Sequence, residues 1–179
     1  MTRVDGFLRG AVFAAVAAAA YAPWIVAFGG ARCGFALYLV TLTAGYLFCL
    51  GERGTRRLLV AGGAALLGCV VAAAAHSIAE LALGLGVVLA TARSAGLWRA
   101  RTARAVVTEV GLVGGGLIFA RVLAAPSVFG VMLAVWGFFL VQSLFFLVGG
   151  VVVRRAAHRD PFEEAYGSAI ALMEDPPSA

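Results

Sequence analysis

The sequence predicts an all-α protein, a polytopic bundle of transmembrane helices. Of the 179 residues, 63% are apolar and only 13% are charged. The mean hydropathy is +0.98. A soluble protein of this size needs a polar surface, and this chain has too few polar residues to form one. Long apolar runs separated by short arginine clusters therefore indicate membrane spans joined by short loops.

Six apolar runs come close to the ~20 residues that a helix needs to cross the hydrocarbon core. The third and fourth runs are separated only around His76, and a re-entrant segment from Leu81 to Ala92 is the alternative to a fourth span. The predicted spans are approximately Ala11–Phe28, Gly34–Leu50, Leu58–Ala75, Ser77–Ala92, Ala105–Ala120 and Ser127–Val153.

The arginines predict the orientation. With six crossings, one side carries only Arg32 and Arg121, and the other carries twelve. Short loops rich in arginine stay in the cytoplasm, so both chain ends are expected there, in a bacterial cytoplasmic membrane. Residues 1–159 then form a six-helix transmembrane domain, and residues 160–179 form an acidic cytoplasmic tail. The twelve arginines are Arg3, Arg9, Arg53, Arg56, Arg57, Arg93, Arg99, Arg101, Arg104, Arg154, Arg155 and Arg159.

The tail is expected to form a short amphipathic helix. Asp160 is a suitable N-cap and Pro161 a suitable first helical residue. Such a helix either folds back onto the arginine-rich inner loops or docks into a cytoplasmic partner. Its apolar stripe, at spacings of four, four and three, consists of Phe162, Tyr166, Ile170 and Met173.

Ionisable residues within spans are the first candidates for a function, because hydrocarbon makes them costly. Glu80 and Glu109 qualify, and His76 lies at a boundary. Glu109 is expected to form an interfacial ion pair with Arg101 or Arg104. Glu80 follows His76 by four residues, which predicts a polar pair on one helical face. No second histidine or cysteine pair is placed to complete a metal site, so none is predicted.

Polar but uncharged residues are expected near the membrane midplane. Thr41, Thr43 and Gln142 are candidates for interhelical hydrogen bonds or for binding a neutral ligand. Gly111 and Gly115, at GxxxG spacing, predict a helix contact. The three successive glycines Gly114–Gly116 predict that the fifth span is the most deeply packed. No motif for a nucleophile, a nucleotide or a cofactor occurs in a usable context.

These observations favour a non-enzymatic integral subunit of a larger inner-membrane assembly, serving as scaffold, anchor or transport component. The alternative is a small oligomeric transporter or channel for a neutral solute. An enzyme acting on lipid is the third hypothesis. The expected partners are the lipid bilayer and either other membrane or cytoplasmic subunits or further copies of the chain. The arginine clusters are interpreted as topology signals and not as a nucleic-acid site.

Overall fold

The computed structural model describes residues 3–50, 54–97 and 102–148, and this part of the chain is helical without any strand. Outside it lies the predicted tail helix, with its apolar stripe of Phe162, Tyr166, Ile170 and Met173. The helices are α1 (Arg3–Phe28), α2 (Arg32–Leu50), α3 (Thr55–Ala74), α4 (Ile78–Leu97), α5 (Thr102–Leu123), α6 (Val128–Ser143) and α7 (Phe145–Val148).

The length and composition of these helices indicate a multi-pass membrane protein. Helix α4 has 20 residues, about the thickness of the hydrocarbon core. It is one continuous helix, longer than the alternative segment predicted from Leu81 to Ala92. With it, five to six helices are long and apolar enough to span a membrane. The other segments that meet this requirement are Val4–Phe28, Arg32–Cys49, Thr55–Ala74, Val106–Leu123 and Val128–Val148.

Five helices form a closed ring in the order α1, α2, α4, α5, α6 and back to α1. Helix α3 packs outside this ring against α2 and α4, and α7 packs against α1, α5 and α6. Helices α2 and α4 make no close backbone contact with α6, so they face it across the middle of the ring. We call the end with residues 29–31, 75–77 and 124–127 the predicted outer end, and the opposite end the predicted inner end.

Hydrogen bonds fasten the ring at and near the predicted outer end. The Tyr38 hydroxyl on α2 donates to the Ala17 carbonyl on α1 at 2.5 Å. The Arg32 guanidinium donates to the Ala75 carbonyl in the turn between α3 and α4. Each bond satisfies a polar group that lipid cannot satisfy.

Helix α4 begins with a cap that accounts for two of the predicted polar residues. Ser77 accepts the Glu80 backbone N–H at 3.2 Å, and the Glu80 carboxylate accepts the His76 backbone N–H at 2.7 Å. Serine and glutamate three residues apart are the residues of a capping box. His76 thus precedes the helix, and the prediction that it shares a helical face with Glu80 is wrong.

Glycines allow two pairs of helices to approach closely. A Cβ atom on Gly10 of α1 would lie 2.6 Å from the Ser143 Cβ on α6. A Cβ atom on Gly86 of α4 would lie 2.6 Å from a methyl carbon of Val113 on α5. Both distances are too short for real carbon atoms, so these helix contacts depend on glycine.

The predicted contact through Gly111 and Gly115 is wrong for the described part of the chain, where neither glycine has another atom within 4 Å of its Cβ position. Helix α5 instead turns Leu112, Val113 and Gly116 toward its neighbours, and these three residues are buried. Packing uses the face of α5 that carries these three residues and not the face that carries Gly111 and Gly115.

We expect Gly10→Leu to destabilise the protein and Gly111→Leu to leave it unchanged. Overpacking a tight contact costs about 1–3 kcal/mol, whereas a leucine at Gly111 meets open space. Thermal unfolding of both variants in one detergent checks this. Equal melting temperatures for the two variants would contradict the contact between α1 and α6.

Candidate functional site

The interior of the helix ring has two parts of opposite chemistry. Toward the predicted inner end it contains a buried polar cluster, defined by Arg93, Glu109 and Gln142. Toward the predicted outer end it contains an apolar cavity between α2, α4, α5 and α6.

Arg93 is the residue whose position departs most from the sequence prediction. The sequence places it in the inner loop that follows the span Ser77–Ala92. The structure places it within α4, about 22 Å from the start of that helix at 1.5 Å per residue. Its side chain is only 1% exposed. The bundle therefore contains a buried cation, which the sequence analysis did not expect.

The Arg93 guanidinium joins three helices. Its Nη2 atom donates to Glu109 Oε2 on α5 at 2.5 Å and to Gln142 Oε1 on α6 at 2.8 Å. Its Nη1 atom lies 3.4 Å from the Gln142 carbonyl. Gln142 Nε2 then donates to the Leu112 carbonyl on α5 at 2.8 Å. The guanidinium also lies over the Phe145 ring, 4.9 Å from its centroid, at a distance where cation–π attraction acts.

Glu109 is therefore a buried ion-pair partner of Arg93, 4% exposed. Arg101 and the side chain of Arg104, its predicted partners, lie outside the described part of the chain. Of the three ionisable residues that the sequence singled out, Glu109 alone belongs to the cluster. His76 and Glu80 are exposed at the far end of α4 from Arg93.

A break in the sixth span sits at the cluster. The Ser143 hydroxyl donates to the Leu140 carbonyl at 2.6 Å, and the Leu144 N–H donates to the Val141 carbonyl at 3.1 Å. The Leu144 bond reaches back three residues instead of four, which interrupts the regular backbone hydrogen bonds of the helix, and α6 ends at Ser143. The Gln142 carbonyl beside this break faces the guanidinium, as membrane-buried backbone groups require a partner.

Gly116 makes the space for the Gln142 side chain. A Cβ atom at Gly116 would lie 2.8 Å from Gln142 Nε2 and 3.0 Å from the Phe138 ring. Any larger residue would displace the amide that connects α6 to α5. One glycine of the Gly114–Gly116 run thus has a specific packing role, whereas Gly114 and Gly115 meet no atom within 4 Å.

The apolar cavity has a volume of about 800 Å³. Among the described residues that line it, Thr43 and Arg121 alone have polar side chains. Along α2 it extends from Phe35 to Thr43, about 12 Å at the helical rise. Phe138 and Phe139 line its deep end, and Gln142 follows them about one helical turn further along α6. An aromatic floor therefore separates the cavity from the polar cluster.

The three residues predicted to bind a neutral ligand occupy three different environments. Thr43 lines the cavity, and its hydroxyl donates to the Leu39 carbonyl at 2.9 Å. Thr41 faces outward, and its hydroxyl donates to the Leu37 carbonyl at 2.8 Å. Gln142 belongs to the polar cluster. The structure does not bring the three together.

The described residues contain no group of three or more histidine, cysteine, aspartate or glutamate side chains placed to hold a metal. The chain matches no protein-family model, no curated protein and no solved structure. Its function has to be argued from the cavity and the cluster themselves.

We expect Arg93 and Glu109 to be strongly coupled in stability. Arg93→Met or Glu109→Leu alone leaves one charge of the buried pair without the other, which costs about 3–5 kcal/mol. The double variant removes both charges and should lose clearly less than the sum of the two single losses. Denaturant unfolding in detergent gives the four free energies of this cycle. Arg9→Met, at an exposed arginine of α1, is the control, and additive losses at Arg93 and Glu109 would refute the coupling.

Proposed function

We propose that this chain is a non-enzymatic membrane component that holds an apolar molecule in the ring cavity, as the ligand-binding subunit of a larger membrane assembly. The observation that carries the proposal is the cavity itself. Its volume of about 800 Å³ lies within the ~300–1,000 Å³ typical of small-molecule sites, which are mostly apolar with a few polar groups.

The side chains that line the cavity support binding and not a reaction. They offer one hydroxyl, on Thr43, and one guanidinium, on Arg121. The hydroxyl donates to its own helix, and the described lining offers no general base that could take its proton. An arginine does not lose its proton in a protein and cannot serve as a general base.

The same lining favours an apolar ligand over a neutral polar solute. A polar solute would lose its bonds to water and gain almost no partner from the walls, at a cost of roughly 1–3 kcal/mol for each unsatisfied group. An apolar ligand needs no hydrogen-bond partner, and it exchanges its dispersion contacts with lipid for contacts with the wall. The transporter alternative therefore requires a substrate that is itself apolar or amphiphilic.

The cavity is accessible from the side of the bundle. Three of its lining residues have strongly exposed side chains, namely Ile78 on α4 with Ile118 and Val122 on α5. Helices α4 and α5 touch at Gly86 and Val113, deeper in the bundle. We infer that the two helices diverge beyond this contact and that the ligand enters between them from the lipid.

We expect a neutral, diazirine-bearing fatty alcohol in phosphatidylcholine nanodiscs to label the cavity peptides of α4, α5 and α6 on illumination. The labelling should saturate, and excess unlabelled alcohol should compete with it. Ala134→Phe places a ring in the cavity and should remove most of the labelling. Ala73→Phe adds the same ring on an exposed face of α3 and should have no effect. Equal labelling of both variants would show that the alcohol reacts from the bulk lipid.

The assembly part of the proposal has its own test. Extraction in a gentle detergent followed by mass determination should recover the chain with stoichiometric foreign subunits. A homo-oligomer without another polypeptide would contradict the subunit hypothesis and leave the cavity proposal standing. The same measurement on a chain truncated after Arg159 shows whether the predicted acidic tail holds the partner.

A further inference from the structure

We infer that the molecule in the cavity is an anionic lipid of the surrounding bilayer, with its chain along the cavity and its headgroup at Arg121. This inference rests on the proposed function, because it requires that the cavity binds an apolar chain. It adds the chemical class of the ligand and the residue that selects it.

The charge at the mouth of the cavity is uncompensated among the described residues. The structure describes three carboxylates: Asp5 lies in the first turn of α1 at the opposite end of the bundle, Glu80 caps α4, and Glu109 binds Arg93. None of them pairs with Arg121, which lies in the last turn of α5, is exposed and lines the cavity.

The second described arginine at this end already makes a hydrogen bond within the protein. Arg32 donates to the Ala75 carbonyl and so fastens the turn before α4. Glu80 binds the neighbouring residue of the same turn. Of these two described arginines, Arg121 alone lines the cavity, so its guanidinium is the one placed to bind a ligand there. A guanidinium matches phosphate oxygens in both charge and geometry.

The depth of the cavity fits one leaflet. Its extent along α2 is about 12 Å, and half of the hydrocarbon core is about 15 Å. A lipid chain that enters from the predicted outer end would reach the aromatic floor of Phe138 and Phe139 without crossing the midplane. Its headgroup would then lie at the level of the last turn of α5, where Arg121 is placed.

The helix dipole provides a competing explanation for an arginine at this position without a carboxylate partner. A cation in the last turn of a helix also interacts favourably with the helix dipole. That interaction needs no lipid and does not distinguish one headgroup from another. Headgroup selectivity is therefore the property that separates the two explanations.

The test uses the full chain in phosphatidylcholine nanodiscs that contain a small fraction of a diazirine-bearing lipid. Two probes carry the same acyl chains, one as phosphatidylglycerol and one as phosphatidylcholine. We expect the anionic probe to label the cavity peptides about fivefold more than the zwitterionic probe, the effect of one arginine near an anionic headgroup. Arg121→Gln should bring the two yields to parity, and Arg121→Lys should retain most of the preference.

Arg32→Gln is the matched control, since it removes the other arginine at this end and should keep the anionic preference. Equal labelling by the two probes in the unmodified chain would overturn the inference, as would a preference that survives Arg121→Gln. If the fatty alcohol labels the cavity but the lipid probes show no preference, the proposed function stands and the anionic ligand falls. If no probe labels the cavity in a saturable way, both fall.

Discussion

A charged pair buried among lipid-embedded helices is the constraint on which the described architecture depends. Arg93 and Glu109 belong to different helices, and separating them in a medium of low polarity would cost several kcal/mol. Gln142 extends the pair to α6 and bonds back to α5. Three helices therefore have to meet at one level of the bundle. In lipid, where apolar packing gives helices little reason to associate, this polar cluster supplies specific partners.

The position of the cluster also explains why the cavity is one-sided. Toward the predicted inner end, polar side chains and the rings of Phe139 and Phe145 fill the ring of helices. Toward the predicted outer end, the space between α2, α4, α5 and α6 stays open above the aromatic floor. Gly86 permits the last close contact between α4 and α5 before this opening. A bundle fastened at one level and open at another is suited to holding a chain from one leaflet.

The membrane bundle could be predicted from the sequence, but most of the candidate site could not. The lengths of the apolar runs were sufficient to predict the helices, because a chain that spans hydrocarbon can adopt few structures other than a helix. Two members of the cluster, Glu109 and Gln142, could be recognised in the sequence as polar residues within apolar runs. Arg93 was missed because it lies one residue beyond the predicted span, where an arginine is normally a loop residue. Hydropathy does not show that α4 continues to Leu97. Only the folded bundle shows which carboxylate faces Arg93.

Arginine residues thus have three different roles in this protein. A count of arginines on each side of the membrane does not distinguish these roles. Moving Arg93 from a loop to the interior changes the twelve-to-two distribution only to eleven-to-two, so the predicted orientation does not depend on it. Of the two arginines on the sparse side, Arg32 is bound to a backbone carbonyl. Arg121 is exposed beside an apolar cavity without a described carboxylate partner. The positive-inside rule does not account for Arg121, whereas the anionic lipid inferred for the cavity would bind it.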